Sequence, residues 1–313
     1  MFAKVIVNPA AGARATSRAW PKIKSILEGD GLPFDYQFTE SAGHAAVLAR
    51  KAAQDGYRIL IAVGGDGTVS EIAHGLLSSG QAGTVALGII GTGTGNDLIR
   101  SLGLSRDYNS ACRLITSGYQ KHAGRIEEWS TCIDAGWVEY TVGGERRTRY
   151  FVNGAGVGFD AEVADAASRV RWRLGHAAPF LMGLLRVLPL YRNKQVRLTI
   201  DGRIENRCVL SIVVSNGAYF GGGMKIAPTA SLVDRKLDLV VIGDAGKLEL
   251  LRVFPRVYLG THTGHPKVRA EKVEDVAISS DERILLQADG EIVGEGPVSL
   301  RIVPQALRLV CKT

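Results

Sequence analysis

Long apolar runs are missing from this chain. Its greasiest stretch, Ala177–Leu190, is broken by Pro179, Arg186 and Pro189 and falls short of the about 20 residues that a bilayer crossing needs. Any membrane contact is therefore expected to be peripheral. Cysteine is scarce as well. Cys112, Cys132, Cys208 and Cys311 form no C-x-x-C pair, which excludes both a zinc-ribbon pattern and the dense cross-linking of small secreted domains. Buried, reduced thiols and a cytoplasmic location are expected. A signal-peptide profile is absent too, since Met1–Val7 runs straight into strand-like sequence. The net charge of +7 suits an anionic partner, but no nucleic-acid-binding module is recognisable. No internal repeat or low-complexity tract interrupts the chain.

Glycine is plentiful, at 38 residues, and its placement is informative. Gly64-Gly65-Asp66-Gly67-Thr68 and Gly91-Thr92-Gly93-Thr94-Gly95-Asn96-Asp97 each follow a β-branched apolar run and lead into a helical pattern. Glycine lets the backbone turn tightly and brings its N–H groups close to a ligand, while the following helix start favours negative charge. Each cluster also carries an aspartate, which alone would repel a phosphate by roughly 4 kcal/mol at about 4 Å and an effective dielectric near 20. A carboxylate belongs there if a divalent cation lies between it and the phosphates. The two clusters together point to magnesium-nucleotide chemistry.

The first 125 or so residues alternate short apolar runs (Phe2–Val7, Phe34–Thr39, Arg58–Val63, Thr84–Ile90) with helical patterns around Trp20–Leu27, His44–Gln54, Thr68–Leu77, Asp97–Leu102 and Asn109–Ser117. This alternation predicts a parallel sheet with helices on its faces, and ligands bind such sheets beyond the carboxyl ends of the strands. Both glycine clusters fall there. Beyond Ile126 the texture changes to short strands: Thr131–Val142, Thr148–Asn153, Gln195–Ile200, Arg207–Ser215, Lys236–Ile242, Val273–Ser279, Arg283–Ala288 and Val298–Val303. Helical excursions are expected over Ala161–Tyr191 and Gly246–Tyr258. The predicted fold class is α/β plus β: an α/β nucleotide domain over 1–126, then a β-sandwich or barrel over 127–313, with the last ten or so residues expected to pack back on the first domain.

The Gly64–Glu71 stretch resembles the signature of the diacylglycerol kinase catalytic domain family, which includes bacterial lipid kinases, sphingosine kinases and ceramide kinase. Further matches follow in order: Asn8-Pro9-x-x-Gly12; Gly93-Thr94-Gly95-Asn96-Asp97-Leu98; Asn153-x-x-Gly156-x-Gly158-x-Asp160; Asn216-Gly217 through Gly221-Gly222-Gly223-Met224 to Asp234; and Gln287-x-Asp289-Gly290-Glu291. The resemblance spans essentially the whole chain. It implies a phosphofructokinase-like nucleotide domain followed by a β-sandwich, ATP and Mg2+ as cofactors, and a lipid hydroxyl as phosphoryl acceptor. It also implies that Asn8, Thr39, Gly64, Gly65, Asp66, Gly67, Thr68, Glu71, Gly93, Thr94 and Asn96 hold the nucleotide. Asp66 and Asp97 are then its magnesium contacts. Asp97 also reads as a helix N-cap, and Asn8 as turn chemistry with Pro9 and Gly12.

For the acceptor hydroxyl the resemblance implies Asp289, with Glu291 as second choice; Asp289-Gly290 is equally a hairpin turn. A structural magnesium site is implied at Asp234 with the carbonyls of Ser231 and Lys236. There the chain departs from the family's usual Asp-Gly by having Asp234-Arg235-Lys236. Asp160 and the glycines at 154, 156 and 158 read as structural, shaping the floor between the domains. Between Val163 and Arg197, seven cations (Arg169, Arg171, Arg173, Arg186, Arg192, Lys194, Arg197) face one acid, Asp165, among Trp172, Phe180, Leu181, Met182, Leu184, Leu185 and Leu188. This composition suits an anionic membrane surface, and equally a helical cap with solvated arginines. The expectation is a cytoplasmic, peripherally membrane-associated lipid kinase that meets its lipid substrate at the membrane surface, with no nucleic-acid partner and a homodimer left open. The alternatives are an NAD kinase-like enzyme and a non-catalytic nucleotide- or lipid-binding regulator.

Overall fold

The computed structural model describes residues 2–169 and 177–311. Contacts divide the chain into two units, Met1–Ala135 with Pro304–Thr313, and Gly136–Val303. In the first unit strands and helices alternate: β1 (Ala3–Val7), α1 (Ala11–Gly29), β2 (Phe34–Phe38), α2 (His44–Gln54), β3 (Ile59–Gly64), α3 (Asp66–Ser78), β4 (Ala86–Gly91), α4 (Asp97–Ser101) and α5 (Tyr108–Lys121). The strands lie parallel in the order β4-β3-β1-β2. Near the other end of the chain, Arg308 and Leu309 pair in parallel with Ala86 and Leu87.

Almost every residue of β1, β3 and β4 is buried. Helices cover both faces of such a sheet, so its strands read as unbroken apolar runs rather than alternating ones. Trp20, Ile23 and Leu27 of α1 and Ile115 of α5 pack into one core with Val5, Ile61 and Ile90. The register sets Val7 beside Val63, and Gly64 beside Gly91. Three carboxyl ends are thereby brought level, and the glycine turns leave from neighbouring strands.

The second unit begins within β5 (Ser130–Val142). It continues with β6 (Glu145–Phe151), β7 (Gly154–Gly158), α6 (Phe159–Ser168), α7 (Ala177–Val187), β8 (Lys194–Ile200), β9 (Arg203–Ser215), β10 (Leu237–Gly243), α8 (Lys247–Leu259), β11 (Val268–Val273), β12 (Asp275–Ser279), β13 (Leu285–Ala288) and β14 (Glu291–Val310). Two long strands organise it. β9 pairs with β8 through Arg203–Val209 and with β7 through Ser211–Ser215. β14 pairs with β13 near Glu291–Glu295 and with β12 over Val298–Arg301. Because β12 also pairs with β8 and β13 with β7, the ladder closes on itself around a core of Val157, Leu198, Ile212, Leu239, Ile278, Leu286 and Leu300.

Three details differ from the sequence reading. The stretch expected as one strand, Val273–Ser279, straddles two, β11 and β12, which part at Glu274. The 154–158 run is a strand, β7, where the sequence pattern predicted none. A Cβ on Gly156 would lie 1.7 Å from Asp160 Oδ2, so glycine is what lets that carboxylate rest on the strand. The Ala161–Tyr191 excursion holds two helices, α6 and α7. Arg171, Trp172, Arg173 and the side chains of Phe180 and Leu181 lie outside the described residues. No helix among the described residues is long and apolar enough to cross a membrane.

Candidate active site

At the carboxyl edge of the first unit's sheet the two glycine turns lean on each other. A Cβ on Gly93 would fall 2.9 Å from Gly65 Cα, so backbone meets backbone where any other residue would force the turns apart. Asp66 locks this contact. Its Oδ2 accepts the Asn96 N–H at 2.8 Å and its Oδ1 accepts the Asp97 N–H at 2.7 Å. Asn96 holds a left-handed conformation at φ 52°, which Asn tolerates better than most residues. Its amide donates to Gly93 O at 3.1 Å. Arg100 closes the turn by donating from Nε to Gly95 O at 2.7 Å.

The neighbouring strand end joins through side chains. Asn8 Nδ2 donates to Thr68 Oγ1 at 2.9 Å, while its Oδ1 accepts the Ala10 N–H. Thr16 and Thr92 hydroxyls meet at 2.5 Å. Thr39 donates its backbone N–H to Val7 O at 2.9 Å. The Glu71 carboxylate accepts the N–H groups of Gly43 and Ala45 at 2.8 and 3.1 Å. It thereby caps α2, where an acid complements the positive end of the helix. Thr94 is exposed at the tip of its turn, whereas Thr68, Asn96 and Asp97 are buried.

An α-helix leaves its first N–H groups without an acceptor inside the helix, and α3 begins directly after the Gly64–Gly65 turn. A helix start of this kind, next to glycine turns, is where an anion could bind; the Asn96 and Asp97 N–H groups are already taken by Asp66. A magnesium ion carried mainly by phosphates needs only one or two protein carboxylates, and Asp66 with Asp97 could supply that number. Among the described residues no group of three or more His, Cys, Asp and Glu could hold a metal by itself.

In the second unit, Asp289 sits at the β13–β14 turn at φ 49° and is buried. Its Oδ2 accepts Val152 N–H at 3.0 Å, and its Oδ1 accepts Asn153 and Gly154 N–H at 2.8 and 3.1 Å. Glu291, two residues on, pairs with Arg149 at 2.7 Å. Behind the turn runs a buried relay. Gln287 Oε1 accepts the Gly290 N–H at 2.9 Å, Gln287 Nε2 donates to Asp160 Oδ2 at 3.0 Å, and Ser211 Oγ donates to Asp160 Oδ1 at 2.6 Å. Burial pushes the Asp160 carboxyl up, against those hydrogen bonds. Asp160 is thus tied through Gln287 to the turn that carries Asp289.

Residues 3–126 match the family described as the diacylglycerol kinase catalytic domain. Residues 154–311 match the one described as the YegS C-terminal NAD kinase beta sandwich-like domain. A diacylglycerol kinase of Staphylococcus carnosus (strain TM300) is 30% identical over 308 residues, covering 98% of this chain and 94% of that one. The chain belongs to the diacylglycerol kinase family.

Solved structures agree on the fold. A putative diacylglycerol kinase from Bacillus anthracis str. Sterne superposes with TM-score 0.76 at 23% identity, over 99% of this chain and 96% of that one. A yeast NADH kinase complexed with NADH gives 0.57 at 10% identity, over 100% and 84%.

Against that family pattern one expected site does not fit. Asp234 Oδ1 accepts the Lys236 N–H at 3.2 Å, and its Oδ2 holds Lys272 Nζ at 2.6 Å. A divalent cation about 4 Å from that ammonium would face a repulsion of roughly 8 kcal/mol at an effective dielectric near 20. Lys236 turns its own ammonium to Glu274 at 2.5 Å. Sequence reasoning missed Lys272, Arg100 and the Asp66 brace. All three are contacts set by strand register or turn shape, with no signature in residue spacing.

Proposed function

We propose that this diacylglycerol kinase family member is an ATP-dependent lipid kinase. It moves the γ-phosphoryl group of ATP to the hydroxyl of a membrane lipid such as a diacylglycerol or a sphingoid base. The observation that carries this reading is the Asp66 brace, which ties the second glycine turn to the first beside the start of α3 and so supports an anion site there. The acceptor oxygen forms the new bond to the γ-phosphorus, the bond from that phosphorus to the bridging oxygen breaks, and ADP leaves. Asp289 orients the hydroxyl and receives its proton late, which suffices for a loose phosphoryl transition state. Magnesium, when bound, would neutralise phosphate charge beside Asp66 and Asp97.

The test is ATP labelled in its γ-phosphate, offered with detergent-dispersed diacylglycerol, ceramide, sphingosine and, as a competing acceptor, NAD. Label should enter an organic-extractable phospholipid. Label in NADP would replace this reading with that of an NAD kinase; label that stays on ATP across all acceptors would favour a non-catalytic regulator.

Recruitment to an anionic bilayer is part of the same proposal, and α7 and α8 supply the surface that supports it. α8 exposes Leu248, Leu251, Pro255 and Leu259 along one stripe, with Leu248 and Leu259 more than 70% exposed at 74% and 73%. Lys247, Arg252 and Arg256 flank it, also exposed. The single acid of the helix, Glu249, is engaged by Gly246 N–H and Lys267. Lys247 Nζ donates to Pro189 O and Leu184 of α7 shares a core with Leu250 of α8, while Met182, Leu185 and Arg186 of α7 are exposed. Apolar side chains fringed by cations are the pattern of an interfacial helix. Two copies meeting here about a twofold axis would bring these cations together. Leu248→Ser with Leu251→Ser should weaken sedimentation with phosphatidylglycerol vesicles by tenfold or more, since each buried Leu contributes about 2 kcal/mol. Turnover of detergent-dispersed lipid should stay near wild type.

A further inference from the structure

One ammonium sits where three oxygens converge at the end of the 229–238 loop. Lys272 stands on β11 directly across from Asp238 on β10. Its Nζ lies 2.6 Å from Asp234 Oδ2, 3.1 Å from Asp238 Oδ2 and 3.1 Å from Thr229 O. An ammonium has three N–H donors and no acceptor, so each donor has one partner. The cage is itself tied: Asp238 is buried and its Oδ1 accepts the Thr229 hydroxyl at 2.6 Å, while Asp234 Oδ1 accepts the Lys236 N–H.

We infer that Lys272 is a built-in monovalent substitute for the structural divalent cation expected at this loop, so that the loop is ordered without magnesium. Two carboxylates and a carbonyl around one centre are the donor set that hard cations take. Here a side chain holds a centre that shares Asp234 with the expected site and adds Asp238 and the Thr229 carbonyl. Arg235 holds the left-handed conformation at φ 63°, at the position where the resemblance leads to an expectation of glycine. Lys236 and its partner Glu274 stand apart as a separate pair.

The consequence is functional. A loop that needs a bound divalent ion adds a second magnesium requirement to the one set by the nucleotide; a loop closed by Lys272 adds none. The inference concerns the nucleotide-free protein, so it stands or falls independently of which acceptor the enzyme uses.

The experiment uses the full chain without nucleotide. Mn2+ binding is followed by its EPR signal, and melting temperature is compared in EDTA and in millimolar Mg2+. The wild type should melt at the same temperature in both, and Asp234→Asn should leave its Mn2+ binding unchanged. Lys272→Met should melt lower in EDTA, recover in part with Mg2+, and gain one Mn2+ site that Lys272→Met with Asp234→Asn loses. A wild-type Mn2+ site abolished by Asp234→Asn would overturn the inference, and so would Lys272→Met gaining no Mn2+. Should the Lys272 variants fail to fold, the comparison of wild type with Asp234→Asn still decides it.

Discussion

Asp289→Asn should lower turnover by about a thousandfold or more while ATP still binds. A positioned carboxylate that takes up a proton in the transition state is worth roughly 10²–10⁴ in rate, and the amide cannot take it up. The structure adds a second effect. Three backbone N–H groups, from Val152, Asn153 and Gly154, are aimed at the two Asp289 oxygens. Asparagine keeps one oxygen, so at least one of those donors would meet an NH2 group. Leaving a buried donor unmade costs about 1–3 kcal/mol, so the variant should also melt several degrees lower. Its backbone should hold, because Asn accepts the left-handed conformation that Asp289 adopts. Kinetics below the lowered melting point, with ATP affinity measured on the same sample by calorimetry, separate the two effects. Wild-type turnover in that variant would remove Asp289 from the chemistry. Glu291→Gln should cost far less, because this side chain is in an ion pair with Arg149 and is 39% exposed.

The first unit was largely legible because its signals are local. Buried parallel strands announce themselves as apolar runs, and α2 was readable to its end residues because alanine and leucine recur at helical spacing. The second unit was harder wherever a strand lacked a side-chain pattern. β7 is mostly glycine, with only backbone to pair and nothing to alternate. β11 mixes Val268 and Val273 with Arg269, Glu271 and Lys272, so its edge position erased the apolar signal. In the candidate site the residue types were visible but their partners were not. Sequence assigned Glu71 to the nucleotide, while the structure turns its carboxylate onto Gly43 and Ala45. Lys272 could not be connected with Asp234, 38 residues away, until the β10–β11 register placed it there. Local periodicity therefore gave the elements, whereas the electrostatics of the site depended on pairings that only the folded chain sets.

Asp66→Asn should weaken ATP binding about 30- to 100-fold, and should do so whether magnesium or EDTA is present. Hydrogen bonds from backbone amides to a charged acceptor contribute roughly 1.5–3 kcal/mol each. Asp66 accepts two of them across the turns, from Asn96 and Asp97. The amide variant keeps one and sets an N–H against an NH2 at the other. The Gly95–Asp97 backbone then keeps only one of the two bonds that hold it beside Gly65, and the turns loosen. If Asp66 acted on the nucleotide through magnesium alone, its loss would be felt only when magnesium is present, and affinity in EDTA would match wild type. Asp97→Asn is the informative comparison, since it leaves the Asp97 N–H and therefore the brace in place. That variant should lose affinity mainly in magnesium. Equal MgATP affinity in wild type and Asp66→Asn would mean that the two turns hold their shape without the carboxylate. The proposed phosphate-binding surface would then rest on the Gly65–Gly93 contact and the start of α3 alone.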